Sequence, residues 1–404
     1  MIMQKLFREA LTLEDPWTVT DVAFSLEEKR LDITIDFARG STFCCPVCGE
    51  EGARAYDTHQ ESWRHLNFFQ YEAYIHARVP RVRCPNKCGI KKVNIPWARA
   101  GSGFTKLFEA LIMMLSREVP VAVIARMLGE QDTRIWRIIH YYVGEAREKM
   151  DFKDVRSIAV DETSNKKKHD YISLFYDMDR RRILFGTPGK DASTVERFCE
   201  DLKSHGGNPE SILQATCDMS PAFIAGITTN LPNAAITFDH FHIMKIMQDA
   251  VDRVRREESK ETHLLTHTRY LWLKNPNDLK DSQRQKIDQL SPYLKTGRAY
   301  RIRLSLQEFF LQPTREDAEA FLTKWYFWAT HSRLDPVIKA AKSIKEHWEG
   351  VLNWFDSGIS TGVLEGINSL IQAAKARARG YRTMKNFITM AYLIAGDLTF
   401  DLPT

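Results

Sequence analysis

The feature that most restricts the fold of this chain is an alternation of short apolar runs with helical patterns between residues 157 and 239. Short apolar runs bounded by turn residues predict strands, whereas apolar residues spaced three and four apart predict helices. The predicted strands are 157–160, 171–176, 182–185, 212–217 and 235–238. Together with the helices they give the order β-β-β-α-β-α-β-α, in which three meander strands precede crossover units of an α/β fold.

Two of these strands end in an aspartate, Asp161 after the first and Asp218 after the fourth. The two strands are neighbours in the predicted topology, so both carboxylates lie at one edge of the sheet. Because uncompensated carboxylates repel at close range, a divalent metal ion is their natural partner. Glu365 lies on a predicted helix over 364–378, and packing of that helix beside the first strand would bring it to the same metal ions. The alternative is chance, since the chain has 52 acidic residues.

Four of the seven cysteines form two close pairs, Cys45 with Cys48 and Cys84 with Cys88, and a glycine follows each pair. Two thiolates on one tight turn supply half of a tetrahedral zinc site, and the glycine relaxes the backbone of that turn. The two pairs therefore predict a structural Zn²⁺. The alternative is that these cysteines are small buried apolar residues. An odd number of cysteines argues against a disulfide framework.

Residues 120–142 predict a helix-turn-helix, because apolar residues repeat with helical spacing on both sides of Gly129. The second helix would then expose Arg134, Arg137 and Tyr141, the kind of face that a recognition helix presents to the major groove of DNA. The alternative is an ordinary helical hairpin with solvated arginines.

The patterns divide the chain into five segments. Residues 1–100 form an N-terminal β and zinc-binding module, and residues 101–150 form the helix-turn-helix domain. The α/β core is divided between residues 151–248 and residues 357–404, and the second part carries Glu365. Residues 249–356 are charged, helical in period and rich in aromatic residues, which predicts an all-helical insertion.

Composition excludes a membrane protein and leaves nucleic-acid binding open. No stretch of about 18 residues is apolar enough to span a bilayer, and the first residues lack a signal-peptide cleavage site. We therefore expect a cytoplasmic, nucleoid-associated protein without a membrane partner. The net charge of +5 is compatible with nucleic-acid binding but does not demand it.

Several stretches resemble the landmarks of bacterial insertion-sequence transposases. They are Ala159-Val-Asp-Glu162, Cys217-Asp-Met-Ser220, Asp239-His-Phe-His242 and residues 360–372, continued by Gly380-Tyr-Arg382. Together with the zinc module and the helix-turn-helix, they make the chain resemble the IS-L-three family over nearly its whole length. Thr361 and Gln372 depart from the family pattern, which usually has Asn and Lys at these positions, but neither is a metal ligand.

The resemblance implies a ribonuclease-H-like catalytic core, a fold whose strand order is the one predicted above. It implies Asp161, Asp218 and Glu365 as a DDE triad that holds two Mg²⁺ or Mn²⁺ ions per active site. Such a transposase binds the terminal inverted repeats of its element, cleaves double-stranded DNA at the ends and joins the 3′-hydroxyls to target DNA. Because transposition joins two ends at once, we expect a homodimer on paired ends.

Further contacts to DNA are predicted around this triad. His242 could contact the scissile phosphate or hold a flipped nucleotide, and the alternative is a satisfied histidine in the helical turn that Asp239 caps. The basic run 298–303 could bind DNA beyond the cut. The predicted DNA-binding residues of the last segment are Lys375, Arg377, Arg379 and Arg382. Two other functions remain open, a nuclease of the same fold without strand transfer and a catalytically inactive DNA-binding regulator.

Overall fold

The computed structural model describes residues 2–164, 171–357 and 361–403. The chain forms two compact units, one of residues 1–146 with 399–404 and the other of residues 147–398. Across the described part of the chain, no helix is both long enough and apolar enough to cross a membrane.

The first unit contains a short helix and six strands whose alternate residues build its core. These elements are α1 (Ile2–Ala10), β1 (Trp17–Ser25), β2 (Arg30–Phe37), β3 (Thr42–Phe43), β4 (Ala53–Phe68), β5 (Tyr71–Arg83) and β6 (Ile90–Lys92). The strand order is β1-β2-β5-β4-β3, and β6 pairs with β5. Every second residue in the middle of β2 and β5 is buried, including Ile33, Ile35 and Ile75, because successive side chains of a strand point to opposite faces.

Three helices follow in the first unit: α2 (Lys106–Ser116), α3 (Val121–Leu128) and α4 (Asp132–Glu148). Gly129 ends α3 with a φ of 67°, and its N–H bonds to Ala125 O. Glycine reaches this left-handed conformation without a steric penalty, so it can end one helix sharply before the next begins. The apolar faces of α3 and α4 are buried. The predicted helix-turn-helix is therefore present.

The second unit is built on a five-stranded sheet with the predicted order of elements. They are β7 (Ser157–Ser164), β8 (Tyr171–Asp177), β9 (Arg182–Pro188), α5 (Ser193–Ser204), β10 (Gln214–Cys217), α6 (Pro221–Asn230), β11 (Ala235–Phe238) and α7 (His240–Glu258). The strand order is β11-β10-β7-β8-β9. The pairs β7–β8 and β8–β9 are antiparallel, whereas β10 runs parallel to both β7 and β11.

The first strand of this sheet is longer than the sequence predicts. Its apolar run ends at Val160, but β7 continues to Ser164 through antiparallel pairing with β8. The four added residues are polar and half-buried, so hydrophobic patterning alone does not mark them as a strand. Asp161 therefore lies within β7 rather than at its end.

The rest of the second unit is helical, and its described residues contain no further strand. The helices are α8 (Arg269–Leu273), α9 (Asp281–Leu290), α10 (Lys295–Phe309), α11 (Arg315–Thr330), α12 (Asp335–Glu346), α13 (Trp348–Ser357), α14 (Thr361–Arg377) and α15 (Met384–Ala395). Most of the aromatic residues in 249–356 serve this region's own packing. Trp272 and Trp325 are buried, and Trp325 Nε1 donates to Ile302 O at 2.9 Å.

The basic run 298–303, which could bind DNA beyond the cut, is partly exposed and partly buried. Arg303 is buried and donates to Asn275 Oδ1 at 2.7 Å. Arg298 donates to Ser332 O at 2.9 Å. Because these residues lie on α10, which packs against α7 and α11, helical periodicity turns part of the run toward the interior.

One buried carboxylate ties the end of α7 to the beginning of α10. Glu258 accepts hydrogen bonds from the backbone N–H groups of Lys295 and Thr296 at 2.8 and 2.7 Å, and from the Thr296 hydroxyl at 2.6 Å. The first N–H groups of a helix have no partner within the helix, so a carboxylate placed there satisfies them and stabilises the helix dipole.

We predict that Glu258→Ala destabilises this contact by about 2 kcal/mol, because hydrogen bonds to a charged group each contribute roughly 1.5–3 kcal/mol. Hydrogen–deuterium exchange should show faster exchange in peptides that cover the first turn of α10. Glu261→Ala is the matched control, since Glu261 forms only an exposed ion pair with Lys295 at 3.2 Å. Equal exchange in the two variants would contradict the assigned role of Glu258.

Candidate active site and zinc centre

Three aspartates lie at one edge of the sheet in the second unit. Ala159, Thr216 and Thr237 are register partners across β7, β10 and β11. Two positions after these partners come Asp161, within β7, and Asp218 and Asp239, just beyond the ends of β10 and β11. We call these three carboxylates the aspartate row. The predicted proximity of Asp161 and Asp218 follows from the direct pairing of β7 with β10, and Asp239 extends the row to β11.

Asp161 is held by hydrogen bonds to both of its oxygens. Oδ1 accepts from the N–H of Glu162 at 2.8 Å, and Oδ2 accepts from Asn368 Nδ2 at 2.7 Å. Burial raises the pKa of Asp161, and the charge of Asp239 adds to this rise, whereas His242 and the two hydrogen bonds oppose it. The site therefore carries negative charge that the protein compensates only in part.

Asp218 and Asp239 each accept a hydrogen bond at the beginning of a helix. Asp218 Oδ1 accepts from the N–H of Ser220 at 3.0 Å, just before α6. Asp239 caps α7 by accepting from the N–H of Phe241 at 2.9 Å. These contacts hold the carboxylates at the edge of the sheet, where each strand passes into its helix.

His242 is the side chain that, when protonated, places a positive charge beside this row. Its Nδ1 lies 3.3 Å from Asp239 Oδ2 as an ion pair, and among the described residues it has no better-aligned hydrogen-bond partner. Asp239 raises the pKa of His242 against the effect of burial, and the charges of Asp161 and Asp218 raise it further. The carboxylates thus favour the imidazolium form, so Asp239 does more than cap a helix.

Glu365 lies on α14 and is exposed. Burial lowers the pKa of His240, and the charges of Asp239 and Glu365 oppose this effect. Glu365 is therefore close enough to the aspartate row to act on the same histidine as Asp239. Asp161, Asp218 and Glu365 share this region, but their oxygens do not converge tightly. Among the described residues, only the cysteine cluster has its ligand atoms gathered closely enough to hold a metal ion as they stand.

That cluster consists of Cys45, Cys48, Cys84 and Cys88, whose sulfur atoms all lie within 4.8 Å of one another. Each pair is on a turn that ends in a glycine with positive φ, 74° at Gly49 and 84° at Gly89. These turns are closed by hydrogen bonds from Gly49 N to Cys45 O at 2.9 Å and from Cys84 N to Gly89 O at 3.1 Å. The two predicted knuckles therefore meet at one point.

The thiols of the cluster differ in acidity because their surroundings differ. The backbone N–H groups of Cys48 and Val47 lower the pKa of Cys45 to about 7. Hydrogen bonds with Cys84 and Cys48 raise the pKa of Cys88 to about 12. Four thiolates this close repel strongly without a cation, and tetrahedral Zn²⁺ with four sulfur ligands is the arrangement that relieves this repulsion.

The predicted recognition residues on α4 differ in how far they are exposed to solvent. Arg137 and Tyr141 are exposed, and the guanidinium of Arg99 lies 4.1 Å from the ring centre of Tyr141. Arg134 is only half-exposed, because it donates to Glu130 Oε2 at 2.5 Å and covers the ring of Phe104.

The predicted DNA contacts near the end of the chain also divide into two groups. Arg377, Arg379 and Arg382 are exposed. Lys375 turns toward β7 instead, where its Nζ donates to the backbone carbonyl of Ser164. Its neighbour Gln372 donates to Thr163 Oγ1 at 2.9 Å.

The sequence analysis assigned no contact to three residues at the candidate site, Tyr176, His240 and Asn368. One signal was available for Asn368, since a residue three positions after Glu365 lies on the same face of a helix. The buried hydroxyl of Tyr176 left no comparable pattern in the sequence.

Comparisons with known protein families match three successive segments of the chain to domains of insertion-sequence transposases. Residues 41–88 match the zinc-finger of transposase IS204/IS1001/IS1096/IS1165. Residues 93–143 match the helix-turn-helix domain of transposase family ISL3, and residues 158–391 match the ISL3 DDE transposase family. The zinc-finger match and the four-thiol cluster together support a structural Zn²⁺. The helix-turn-helix and transposase matches imply that the chain binds DNA.

Two curated relatives are transposases of insertion sequences. The transposase for insertion sequence element IS1557 of Mycobacterium tuberculosis is 26% identical over 436 residues, covering 99% of this chain and 97% of the relative. The transposase for insertion sequence element IS1001 of Bordetella parapertussis is 24% identical over 355 residues, covering 85% of this chain and 86% of the relative. Because the DDE transposase match alone spans more than half of the residues, the chain belongs to the ISL3 (IS-L-three) family of insertion-sequence transposases.

Proposed function

We propose that this chain is a DDE transposase that binds the terminal inverted repeats of its element, cleaves DNA there and joins the 3′-hydroxyls to target DNA. Its catalytic residues would be Asp161, Asp218 and Glu365. The observation that carries this proposal is the aspartate row, which lies on β7 and just beyond the ends of β10 and β11. Ligands of α/β sheets bind beyond the carboxyl ends of parallel strands, which is where this row stands.

The sheet supports a ribonuclease-H-like core. Three antiparallel meander strands are followed by two strands that run parallel to the first, in the spatial order β9-β8-β7-β10-β11. The helical residues 249–356 would be an insertion between the first part of this core and the helix that carries Glu365. The five-segment organisation predicted from the sequence agrees with this proposal and is part of it.

The residues at this edge fit divalent cations. Burial and the neighbouring Asp239 raise the pKa of Asp161, and a bound cation would offset the cost of ionising this carboxyl group. Asp161, Asp218 and Glu365 would hold two Mg²⁺ or Mn²⁺ ions, oxygen ligands being the kind that these ions prefer. When bound, such ions activate a water or a 3′-hydroxyl and stabilise the leaving oxygen of an in-line displacement.

His242 would act on the DNA as well as on the carboxylates. Its ion pair with Asp239 orients the imidazole and favours the charged form, which suits a contact with a non-bridging oxygen of the scissile phosphate. Such a contact stabilises negative charge that grows during phosphoryl transfer. Asp239 is then the residue that orients His242, and its N-cap bond fixes its own position.

DNA contacts are proposed on both units. In the first unit, the exposed Arg137 and Tyr141 are the better candidates for the major groove, and Arg134 would first have to leave Glu130. In the second unit, Arg377, Arg379 and Arg382 are exposed and could contact phosphates, and Lys375 could join them by leaving the carbonyl of Ser164. We also propose a homodimer, because two ends must be cut and joined together.

Glu365→Gln, Asp161→Asn and Asp218→Asn are predicted to lower cleavage by about 1,000-fold or more, since each removes several kcal/mol of charge stabilisation. Binding to the element ends should remain, because each change removes a charge and little volume. The assay is Mg²⁺-dependent cleavage and strand transfer on DNA that carries the ends which flank the gene.

The exposed Glu196 on α5 provides the control, and Glu196→Gln should cleave normally. Near-normal strand transfer by any of the three variants would refute the assignment of the triad. Cleavage without joining by the wild type would instead identify a nuclease, and binding without cleavage would identify a regulator.

The zinc centre predicts about one tightly held Zn²⁺ per chain. Cys45→Ser and Cys88→Ser should lose the metal and weaken DNA binding, because the two knuckles then separate. Cys44→Ser should retain both properties, since Cys44 is exposed and lies outside the cluster. Elemental analysis of purified protein checks the stoichiometry, and zinc-free wild-type protein would rule out the site.

Arg137→Ala is predicted to weaken binding to the element ends. A base-reading arginine contributes roughly 1–3 kcal/mol of sequence discrimination, whereas a phosphate contact lowers affinity for all sequences and reduces the salt slope by about 1. Lys149→Ala is the control, because Lys149 lies beyond the end of α4 and recognition helices read bases with their N-terminal residues. Unchanged binding by Arg137→Ala in titrations over a range of salt would move recognition to another surface.

A further inference from the structure

A chain of two hydrogen bonds connects a buried tyrosine to the first catalytic aspartate. Tyr176 OH on β8 donates to Asn368 Oδ1 on α14 at 2.6 Å, and Asn368 Nδ2 donates to Asp161 Oδ2 on β7 at 2.7 Å. We propose that Asn368, oriented by Tyr176, is a positioning residue that fixes both the Asp161 carboxylate and the helix of Glu365. This inference rests on the proposed function, because it concerns the same carboxylates.

The orientation of the Asn368 amide is determined by its two partners. An ionised carboxylate can only accept, so the side that faces Asp161 must be the NH₂ group. The amide oxygen then faces Tyr176, which supplies the O–H donor that this oxygen needs. Tyr176 is fully buried, so water does not compete for this hydrogen bond. The tyrosine hydroxyl therefore prevents the amide from turning its oxygen toward Asp161.

The backbone places the tyrosine where this contact requires it. Tyr176 pairs with Ala159 in the antiparallel register of β7 and β8, so its ring stands on the same face of the sheet as Asp161. The amide of Asn368 lies between the two side chains. One helix residue thus bridges two neighbouring strands, and a shift of α14 along the sheet would break both hydrogen bonds.

The bonds to Asp161 leave its carboxylate little freedom to rotate. Asn368 holds Oδ2, and the N–H of Glu162 holds Oδ1 at 2.8 Å. Each oxygen still has a second lone pair for a metal ion. Partners that orient a ligating group in this way typically contribute 10–100-fold to metal affinity or activity.

The contact between Asn368 and Asp161 is the first of three hydrogen bonds that hold α14 along β7. After Asn368, Gln372 donates to Thr163 Oγ1 at 2.9 Å and Lys375 donates to Ser164 O. The helix residues are four and three positions apart, so they share one face. Glu365 precedes Asn368 by three positions and belongs to the same face. The series therefore sets the position of Glu365 relative to Asp161, two residues that are far apart in the sequence.

The test measures direct binding of Mn²⁺ to the full-length protein. Binding is monitored as the loss of the electron paramagnetic resonance signal of free Mn²⁺. Asn368→Ala is expected to bind Mn²⁺ about 10–100-fold more weakly than the wild type. Tyr176→Phe keeps the ring and removes only the hydroxyl, so the core stays intact. Its Mn²⁺ affinity should fall by less than that of Asn368→Ala, which tests whether the hydroxyl orients the Asn368 amide.

Asn353→Ala is the matched control. Asn353 is also a half-buried asparagine on a helix, and it ties α13 to the same sheet by donating to Ile236 O at 2.9 Å, but it contacts no member of the triad. It should lower the melting temperature as Asn368→Ala does, while Mn²⁺ binding stays at the wild-type level. A purely structural role of Asn368 would make the two variants behave alike.

Asp161→Asn separates the two proposals. If Asp161→Asn abolishes Mn²⁺ binding and Asn368→Ala binds like the wild type, the positioning role is overturned and the proposed active site stands. If Asp161→Asn binds Mn²⁺ as well as the wild type, the proposed metal site is wrong and the role of Asn368 falls with it. Weak binding by Asn368→Ala, with normal binding by Asn353→Ala, supports the proposal.

Discussion

Repulsion between carboxylates at one edge of a sheet is the interaction around which the second unit is organised. The parallel strands bring Asp161, Asp218 and Asp239 to one edge of the sheet, and burial makes the charge on Asp161 costly. The chain offsets this repulsion with hydrogen bonds from backbone N–H groups, with the Asn368 amide and with the imidazole of His242. These contacts hold the carboxylates in place but do not neutralise them, which is the condition that a divalent cation requires.

The part of this site that sequence alone predicts is the part that directly follows an apolar run. A polar residue after such a run marks the end of the buried part of a strand, so Asp161 and Asp218 could be named and their strands ordered. Their partners could not be named, because Asn368 reaches Asp161 across 207 positions and Tyr176 looks like any buried aromatic residue. The extension of β7 to Ser164 was missed for a related reason, since its polar residues are ordered by pairing with β8 rather than by burial.

Helical packing decides which of the basic residues in a predicted DNA-binding surface stay exposed. Arg303 belongs to a basic run but lies on the buried face of α10, and Lys375 belongs to the basic end of α14 but reaches the backbone of β7. Arg134 is half-covered by its contact with Glu130. A count of basic residues cannot distinguish a phosphate contact from an internal hydrogen bond, because long side chains reach several ångströms in either direction. In the first unit the prediction was more secure, since the spacing of two Cys pairs and the position of Gly129 depend on local backbone geometry.

The central claim is that Asp161, Asp218 and Glu365 surround one metal centre despite their separation in sequence. Localised backbone cleavage tests it directly: Fe²⁺ replaces Mg²⁺, ascorbate and peroxide generate hydroxyl radicals at the bound metal, and mass spectrometry maps the cuts. The account predicts three groups of cuts, close to residues 161, 218 and 365, all suppressed by excess Mg²⁺. Cuts that avoid one of these positions, or that persist unchanged with excess Mg²⁺, would contradict it.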